Sequence, residues 1–319
     1  MTDGLGREIT YLRISITDLC NLRCIYCMPE DGITRLRHED VLSFEEIARL
    51  TGILAGMGIS KVRLTGGEPL VRRGMTTLVG MLGDLPGIDG LHLTTNGILL
   101  KERARDLKAA GLCGVNVSLD TLDADKFGRM SRGGSLRAVI DGIDEALMAG
   151  LTVKLNCVPV RGHNEEDLIP LCEFASGRGI SLRFIELMPL GEATAYEGVG
   201  TDGIRQVLSD RFGEGTPLEP DGGPAAYYDY GGMRIGFIRP ISDCFCPACN
   251  RIRLTADGYL KLCLHHLAGI DLRAPLRDGS DDDQVRSLIK STMQRKPSSH
   301  DFAAGVQDPD ARRMVQIGG

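Results

Sequence analysis

Apolar and polar residues alternate in six short segments between residues 11 and 188. In an extended strand, this alternation places apolar side chains on one face and polar side chains on the other. The intervals between the segments have helical spacing, and Ser43 with Glu46 forms a capping-box signature at the start of one interval. We predict strands at Tyr11–Thr17, Lys61–Thr65, Leu91–Thr94, Val115–Asp120, Thr152–Val158 and Ser181–Met188, and helices at Ser43–Met57, Leu99–Ala110, Leu136–Ala149 and Glu165–Ser176.

Six strand–helix units at this spacing predict a parallel β/α sheet with right-handed crossovers. Three strands carry a polar face: Arg13, Ser15 and Thr17 alternate with apolar residues in the first, and the strands at 115–120 and 152–158 follow the same pattern. A closed eight-stranded barrel fills its interior with branched apolar side chains. The polar faces therefore predict an open, TIM-like (β/α)6 partial barrel whose lumen holds a polar ligand.

The pattern changes near residue 190. The stretch Gly191–Gly223 is rich in glycine and acidic residues and predicts a connection with one short helix, and Asp257-Gly258 between two alternating runs is typical of a hairpin. Further elements are expected at Met233–Phe237, Ile252–Thr255, Tyr259–Cys263 and, as a helix, Asp282–Gln294. We therefore predict an α/β protein with the partial barrel in residues 1–225 and an α+β extension in residues 226–319.

The composition narrows the functional classes. The chain has 319 residues, of which 42% are hydrophobic, and its formal net charge is −6. An acidic chain lacks the basic excess with which a general nucleic-acid binder neutralises phosphates. No run approaches the roughly 20 apolar residues of a membrane span, and the start MTDGLGREITYL lacks the features of a secretory signal. We expect a cytoplasmic protein that binds neither nucleic acid nor a membrane.

Ten cysteines are many for a cytoplasmic chain, because disulfides are rare in that compartment. Three form the first cysteine group, which follows the first predicted strand with the spacing Cys20-x3-Cys24-x2-Cys27. Zinc sites usually present four ligands, whereas three thiolates on a four-iron cluster leave one iron free for a bound small molecule. The isolated cysteines are expected to be buried as small hydrophobic residues: Cys113, Cys157 and Cys172.

The first cysteine group, with Tyr26 inside it, resembles the CxxxCxxC signature of the radical S-adenosylmethionine superfamily. The turn Gly66-Gly67-Glu68-Pro69 after the second strand resembles the superfamily's motif for the amino group of the cofactor. The resemblance implies a [4Fe-4S] cluster on Cys20, Cys24 and Cys27. It also implies reductive cleavage of S-adenosylmethionine to a radical that abstracts hydrogen from the substrate.

The second cysteine group is Cys246-x2-Cys249-x13-Cys263, which brackets the predicted hairpin. Folding back at the hairpin returns Cys263 towards Cys249, so these thiols converge. Spacing alone also allows a structural zinc site completed by another residue. The residues available to complete it are Cys244, His265 and His266.

Longer segments extend the resemblance to nearly the whole chain. Residues 246–258, CPACNRIRLTADG, closely resemble the C-terminal cluster motif of the GTP 3′,8-cyclase family, which opens molybdenum-cofactor biosynthesis. Residues 11–18, YLRISITD, the Lys296-Pro297-x-x-His300 segment and the terminal Gly318-Gly319 resemble the same family. The resemblance implies a second [4Fe-4S] cluster on Cys246, Cys249 and Cys263 that contacts guanine, with Cys244 as an extra thiol.

Cations at strand ends indicate where a triphosphate binds. Arg251 and Arg253 are two residues apart and share one face of a strand, while Arg13 and Lys154 lie on the polar strand faces. Arginine suits phosphate because its planar fork donates two directed hydrogen bonds. The resemblance implies substrate contacts at Arg13, Arg63, Thr94, Lys154, Arg251 and Arg253, of which the last two are also assigned as catalytic with the first cysteine group. It implies S-adenosylmethionine contacts at Tyr26, Gly67, Ser118 and Met188.

The activity implied by the resemblance is a lyase reaction that converts GTP to (8S)-3′,8-cyclo-7,8-dihydroguanosine 5′-triphosphate. The alternative is a radical S-adenosylmethionine enzyme with an auxiliary cluster that acts on a peptide or another small molecule. The resemblance further implies flavodoxin or ferredoxin as reductant, product hand-over to cyclic pyranopterin monophosphate synthase, and a monomer or homodimer.

Overall fold

A single twelve-stranded sheet crosses the part of the chain that the computed structural model describes, residues 1–300, 302 and 312–318. Its strands are β1 Tyr11–Ser15, β2 Lys61–Thr65, β3 Gly90–Thr95, β4 Gly114–Ser118, β5 Thr152–Cys157, β6 Ser181–Ile185, β7 Thr216–Pro217, β8 Ala226–Tyr230, β9 Met233–Ile238, β10 Arg251–Leu254, β11 Tyr259–Lys261 and β12 Gly269–Asp271. Strands β1 to β6 lie side by side in chain order and pair in parallel. This order confirms the predicted partial β/α barrel.

Later strands extend both edges of the barrel sheet. Strand β10 pairs in parallel with β1, and β11 and β12 continue from it in antiparallel pairing. On the other side, β9 pairs in parallel with β6, and β8 and β7 continue in antiparallel pairing. The strand order begins at β12 and ends at β7, so the sheet is open. Residues far apart in sequence therefore border the same lumen.

Helices connect the strands and cover the apolar face of the sheet. Helix α1 begins at the predicted capping box: Ser43 Oγ accepts a hydrogen bond from the Glu46 N–H, and the Glu46 carboxylate accepts one from the Ser43 N–H. None of the helices in the described part of the chain has the length and apolar character that crossing a membrane requires. The helices are α1 Phe44–Ala55, α2 Met75–Gly83, α3 Ala104–Ala109, α4 Ala124–Ser131, α5 Leu136–Met148, α6 Leu168–Ser176, α7 Thr201–Phe212, α8 Arg273–Arg277, α9 Asp282–Met293 and α10 Met314–Ile317.

The two faces of the barrel strands differ as their alternation predicts. Leu12 and Ile14 of β1 are fully buried in the hydrophobic core, together with Leu50 and Leu54 of α1. Fully burying such a side chain contributes about 1.5–3 kcal/mol to stability. Because this apolar face anchors the sheet on the helices, intervening residues such as Arg13 are directed to the opposite, polar face.

Four predicted strand ends are wrong by two or three residues. Among them, β4 ends at Ser118 rather than Asp120, and β11 ends at Lys261 rather than Cys263. Strand β1 ends at Ser15 rather than Thr17, and β6 ends at Ile185 rather than Met188. The backbone beyond β1 has left the strand ladder, because the Thr17 carbonyl accepts from the Gly67 N–H at 2.8 Å. Alternation continues past these strand ends in the sequence and therefore overestimates their length.

Candidate active site

The first cysteine group occupies the loop that leaves the carboxyl end of β1. The N–H groups of Cys27 and Met28 both donate to the Cys24 carbonyl, at 2.9 and 3.1 Å, and turn the loop back on itself. The end of α4 holds this loop from outside, because the Arg23 N–H donates to the Ser131 carbonyl at 3.0 Å. The loop is therefore fixed at the edge of the sheet where β/α proteins bind their ligands.

The three thiols of the first cysteine group are partly buried, which disfavours their ionised form. Burial raises the pKa of Cys20, raises the pKa of Cys24 strongly, and raises the pKa of Cys27 to about 12. The neighbouring Cys20 thiol and Asp120 add like-charge repulsion at Cys27. Three thiolates in this setting need a soft cation, and their number and burial fit an iron–sulfur cluster with three protein ligands.

The Gly66-Gly67 turn after β2 packs directly against the start of the cysteine loop. A Cβ on Gly66 would lie 2.7 Å from the Thr17 carbonyl oxygen, and a Cβ on Gly67 would lie 2.3 Å from the Leu19 carbonyl oxygen. Both positions therefore require glycine for close backbone approach. The turn therefore supports the loop that carries the thiols.

Glu68 links this turn to the neighbouring strand and to the cysteine loop. Its buried carboxylate accepts hydrogen bonds from the Leu70 N–H at 3.0 Å, the Thr95 hydroxyl at 2.8 Å and the Asn96 N–H at 2.7 Å. Burial nevertheless raises the pKa of Glu68 to about 7. Asn96 in turn donates to the Asn21 side chain at 2.8 Å. Asn96 was not among the predicted site residues, although its place directly after β3 was a usable signal.

The Asp120 carboxylate holds Tyr26 in place. The sequence pattern placed Asp120 on a polar strand face but assigned no role to it. The Tyr26 hydroxyl donates to Asp120 at 2.5 Å, and the other Asp120 oxygen accepts from the Val158 N–H at 2.9 Å. Burial raises the pKa of Asp120 to about 6. Tyr26 and Ser118 line one small cavity together with Cys24. The structure therefore brings two of the predicted cofactor contacts together beside the first cysteine group.

Met188 is the predicted cofactor contact farthest along the chain. It lies three residues beyond the end of β6 and is half-buried. Its carbonyl accepts from the Leu190 N–H at 2.8 Å. Met188 therefore lies at the carboxyl edge of the barrel, as the cysteine loop does, but on the sixth strand rather than the first.

Three of the predicted substrate contacts are arginines that stand side by side on adjacent strands. Strand pairing places Arg253 of β10 beside Arg13 of β1, and Arg13 beside Arg63 of β2. Thr94 of β3 and Lys154 of β5 share one register row further along the same sheet. The fold thus gathers these predicted substrate contacts on the polar face of the barrel.

This polar face concentrates positive charge on neighbouring strands. Burial and the neighbouring Arg253 hold the pKa of Arg13 well below its usual range, and burial with the nearby Arg251 lowers the pKa of Arg253 to about 10. The Thr94 hydroxyl and the Arg183 Nη2 atom are buried without a hydrogen-bond partner among the described residues. Buried polar groups are normally hydrogen-bonded. The lumen is therefore arranged for an anionic ligand that accepts hydrogen bonds.

Lys154 forms an ion pair with a carboxylate from the connection between β7 and β8. Its Nζ lies 2.6 Å from Asp221 Oδ2, and both side chains are about one quarter exposed. The other Asp221 oxygen accepts from the Gly223 N–H at 3.0 Å. Asp221 was not predicted as a site residue, because its glycine-rich stretch indicated only a connection. The Asp221 carboxylate therefore occupies the position beside Lys154 Nζ that an anionic ligand would take.

The hairpin formed by β10 and β11 brings the second cysteine group together. Antiparallel pairing of Arg253 with Lys261 returns the chain, so that Cys263 comes back to the end of the hairpin where Cys249 precedes β10. Gly258 in the turn has a φ of +88°, which glycine adopts without strain. The predicted hairpin is confirmed.

Lys296 holds the two ends of this hairpin together. Its side chain is almost fully buried, and its Nζ donates to the Arg251 carbonyl at 2.9 Å and to the Leu262 carbonyl. Burial by itself raises the pKa of the Cys249 thiol, but Lys296 and Arg251 outweigh it and lower that pKa. A thiolate at Cys249 is therefore favoured, which fits metal ligation.

Ligand spacing separates single-ion sites from cluster sites. In residues 1–300, 302 and 312–318, one set of three ligand atoms lies mutually within 4.8 Å, and it consists of Cys244, Cys246 and His300. Two thiolates on one zinc ion are at most about 4.6 Å apart, twice the Zn–S bond length. In each of the first and second cysteine groups, at least one pair of sulfur atoms is farther apart than 4.8 Å, which is compatible with ligands on different irons of a cluster. In the same ranges, neither His265 nor His266 joins such a set.

The predicted burial of the isolated cysteines is confirmed for two of the three. Cys157 and Cys172 are buried, whereas Cys113 is exposed, so that prediction is wrong for Cys113. Cys113 immediately precedes β4, where the chain turns from α3 into the sheet. It lies at the amino end of its strand, opposite to the edge that carries the first cysteine group.

The C-terminal tail reaches the arginine row. The Gly318 carbonyl accepts from Arg253 Nη1 at 2.5 Å and from Arg13 Nη2 at 3.4 Å. A Cβ at Gly318 would lie 2.3 Å from Thr65 Oγ1, and its φ is +75°, so this position requires glycine. Gly319, the other residue of the terminal pair, lies outside the described residues. A main-chain oxygen thus contacts two of the predicted substrate-binding arginines.

Two family models match consecutive parts of the chain. The model of the radical SAM superfamily matches residues 14–175, and the model named Molybdenum Cofactor Synthesis C matches residues 180–302. The first range contains the first cysteine group, the Gly66-Gly67 turn and Asp120. The second range contains the second cysteine group and Lys296.

Relatives match over the full length. The chain is 46% identical to the GTP 3′,8-cyclase of Pelotomaculum thermopropionicum and 43% identical to that of Clostridium perfringens, with 100% of this chain and of each relative covered. Among solved structures, it is similar to Streptococcus suis SuiB bound to S-adenosylmethionine, with a TM-score of 0.62 and 16% identity over 88% of this chain and 68% of that chain. This likeness supports the α/β radical SAM fold.

Proposed function

The chain belongs to the GTP 3′,8-cyclase family of radical S-adenosylmethionine enzymes, and we propose that it converts GTP to (8S)-3′,8-cyclo-7,8-dihydroguanosine 5′-triphosphate. This lyase reaction is the first step of molybdenum-cofactor biosynthesis. The observation that carries the proposal is the row of Arg253, Arg13 and Arg63 on the polar face of the barrel. Crowded, buried guanidinium groups need an anion, and a triphosphate supplies several negative charges.

The cofactors are [4Fe-4S] clusters and S-adenosylmethionine. When bound, they supply the electron and the 5′-deoxyadenosyl radical that removes a hydrogen atom from the ribose of GTP. We assign the first cysteine group to the cluster that holds S-adenosylmethionine and the second cysteine group to an auxiliary cluster that holds guanine. Residues assigned to contact S-adenosylmethionine are Tyr26, Gly67, Ser118 and Met188.

Asp120 and Glu68 position this cofactor site in the proposal. Asp120 fixes the Tyr26 hydroxyl, so that the aromatic ring between the cysteines keeps one orientation. Glu68 fixes the turn that follows Gly67 by binding two backbone N–H groups and a hydroxyl. Rigid support of this kind limits access of the reactive radical to other groups.

The triphosphate is assigned to the cationic face. Guanidinium groups on adjacent strands can each donate two parallel hydrogen bonds to phosphate oxygens, and burial strengthens these charge-assisted bonds. The Thr94 hydroxyl supplies a further buried donor. Arg251 and Arg253 lead from the second cysteine group into this face, so they hold the substrate between guanine and phosphate sites. The residues assigned to GTP are Arg13, Arg63, Thr94, Lys154, Arg251 and Arg253.

Anaerobic turnover tests the proposed function. The protein is reconstituted with iron and sulfide, given S-adenosylmethionine and a strong reductant, and assayed for 5′-deoxyadenosine with GTP, with ATP and without nucleotide. We expect release that depends on GTP and a new cyclised nucleotide. Release of 5′-deoxyadenosine that does not depend on GTP would favour the alternative, in which the substrate is a peptide or another small molecule. Absence of release despite full iron and sulfide content would contradict radical chemistry.

Replacing Asp221 by asparagine is expected to tighten GTP binding by about 1.4- to five-fold, because partly exposed ion pairs contribute about 0.2–1 kcal/mol. In the free protein, the Asp221 carboxylate holds Lys154 at 2.6 Å, and the triphosphate must displace it. The measurement is the dissociation constant of GTP by calorimetry. Glu219→Gln, on the same connection and exposed, is the matched control with unchanged affinity. Weaker binding in Asp221→Asn would show that the carboxylate supports the site instead.

The remaining assignments follow from this chemistry. We propose residues 1–225 as the unit that generates the radical and residues 226–319 as the region that holds the auxiliary cluster and guanine. We propose a cytoplasmic location, because the two groups of free cysteines require a reducing compartment. Flavodoxin or ferredoxin is the proposed reductant, and cyclic pyranopterin monophosphate synthase is the proposed recipient of the product. A monomer or homodimer is proposed, with no nucleic-acid or membrane partner.

A further inference from the structure

Cys244 and His300 lie outside the two cysteine groups, yet they share a compact ligand set with Cys246. One ligand atom from each of these three residues lies within 4.8 Å of the other two. Cys244 and Cys246 come from the segment before β10, whereas His300 follows α9. Tertiary folding therefore assembles the set from two distant parts of the chain.

The donor types suit one class of ion. Two thiolates and an imidazole, with a fourth position for water, are a known tetrahedral ligand set for zinc. The sulfur atoms of Cys244 and Cys246 lie within 4.8 Å of each other. Zinc–sulfur bonds of about 2.3 Å require these two atoms to move closer together, by roughly 1 Å at most. Cys244 is exposed, so rotation of its side chain can supply this movement without disturbing the core.

The histidine is oriented as metal-binding histidines are. One ring nitrogen of His300, Nε2, bonds to the Pro240 carbonyl, and the ring packs on Phe302 with centroids 4.7 Å apart. Metal ligands of this type usually donate their other ring N–H to a backbone carbonyl, which fixes the tautomer and the ring orientation. The Pro240 contact leaves Nδ1 of His300 as the ligating nitrogen. This atom accepts a hydrogen bond from the Phe302 N–H at 3.4 Å, which a bound ion would replace.

We propose that Cys244, Cys246 and His300 form a mononuclear site for a thiophilic divalent cation of the zinc class. Because this site and the auxiliary cluster both need Cys246, they cannot be occupied at the same time. Binding converts two thiols to thiolates and releases two protons, with no change in oxidation state. The ion binds at this site before the auxiliary cluster is assembled or after the cluster is lost. This site does not depend on GTP being the substrate.

Cobalt binding tests the site directly. The full-length chain with Cys20, Cys24 and Cys27 replaced by serine is kept reduced and cluster-free, and Co²⁺ alone is added. We expect about one tetrahedral, thiolate-bound Co²⁺ per chain by absorption spectroscopy. Cys244→Ser and His300→Gln should each weaken binding about tenfold or more, since even outer-shell changes cost that much. Cys249→Ser is the matched control, because it removes a thiol of the second cysteine group outside the proposed set.

The control decides between the two arrangements. Affinity within about twofold of the parent in Cys249→Ser supports the proposed site. Equal losses in Cys249→Ser and Cys244→Ser would place the ion on the second cysteine group and overturn the proposal. Absence of thiolate-bound Co²⁺ from the parent chain, with circular dichroism showing that it is folded, would overturn it as well.

A competition experiment on the unaltered cysteine groups provides an independent readout. The wild-type chain is reconstituted with iron and sulfide, with or without one equivalent of Zn²⁺. We expect zinc to lower cluster iron by about half, through loss of the three-thiolate auxiliary cluster alone. Cys244→Ser should restore that iron. Equal inhibition by zinc in Cys244→Ser would contradict the proposal. Because the readout is cluster iron, failure here is distinguishable from failure of GTP turnover.

Discussion

Replacing Cys24 by serine is expected to abolish release of 5′-deoxyadenosine. Cys24 is the central thiol of the first cysteine group, and its carbonyl accepts the two hydrogen bonds that shape the loop. Serine keeps the size and the backbone but replaces a soft thiolate by a hydroxyl, which is a poor ligand for cluster iron. The variant should retain the auxiliary cluster, so cluster iron falls by about half, and GTP should still bind. The measurements are 5′-deoxyadenosine release, iron and sulfide content, and GTP affinity.

Cys113→Ser is the matched control, because Cys113 is an exposed cysteine at the amino end of β4. It should keep full iron content and full release. Retained 5′-deoxyadenosine formation in Cys24→Ser would reject Cys24 as an essential ligand. Loss of both clusters would show instead that the cysteine loop is needed for the fold of the second cysteine group.

Replacing Arg253 by alanine is expected to weaken GTP binding about 30-fold or more, because truncating one partner of a buried charge contact costs roughly 2 kcal/mol or more. Arg253 is the member of the arginine row supplied by the C-terminal region, and it stands beside Arg13. Its removal leaves a cavity and one guanidinium fewer for the triphosphate. Calorimetric affinity for GTP is the primary measurement.

Thermal unfolding separates lost binding from lost folding. The wild type should gain stability with saturating GTP, since a ligand that binds only the folded state raises the melting temperature. Arg253→Ala should lose most of that gain at the same GTP concentration. Arg286→Ala, on the exposed side of α9, is the control and should keep it. Unchanged affinity in Arg253→Ala would remove this residue from the substrate site.

Local patterns determined the elements that build the barrel. The alternation in β1 and the capping box at Ser43 are short-range signals, and the structure confirms both. Strand ends were predicted less accurately, because the alternation in the sequence continues beyond the hydrogen-bonded ladder. The hairpin at Gly258 was also predictable, since a residue with positive φ between two strands favours glycine.

Motif spacing likewise identified the two cysteine groups. Both depend on residues close in sequence or on one hairpin, so their convergence follows from local chain geometry. The residues that hold the predicted site residues in place could not be predicted from local chain geometry. Asp120 contacts Tyr26 from just beyond the end of β4, and Asp221 reaches Lys154 from the connection between β7 and β8. No short-range pattern relates these pairs.

The sequence by itself determined how the cysteines are grouped along the chain, which strands carry polar faces, and which arginines share a strand face. Only the tertiary structure decided that Arg253 stands beside Arg13, that Lys296 bridges the hairpin ends, and that His300 joins Cys244 and Cys246. The physical reason is the range of the interactions. Periodicity and turn chemistry act over a few residues, whereas parallel pairing of β1 with β10 joins segments from opposite ends of the chain.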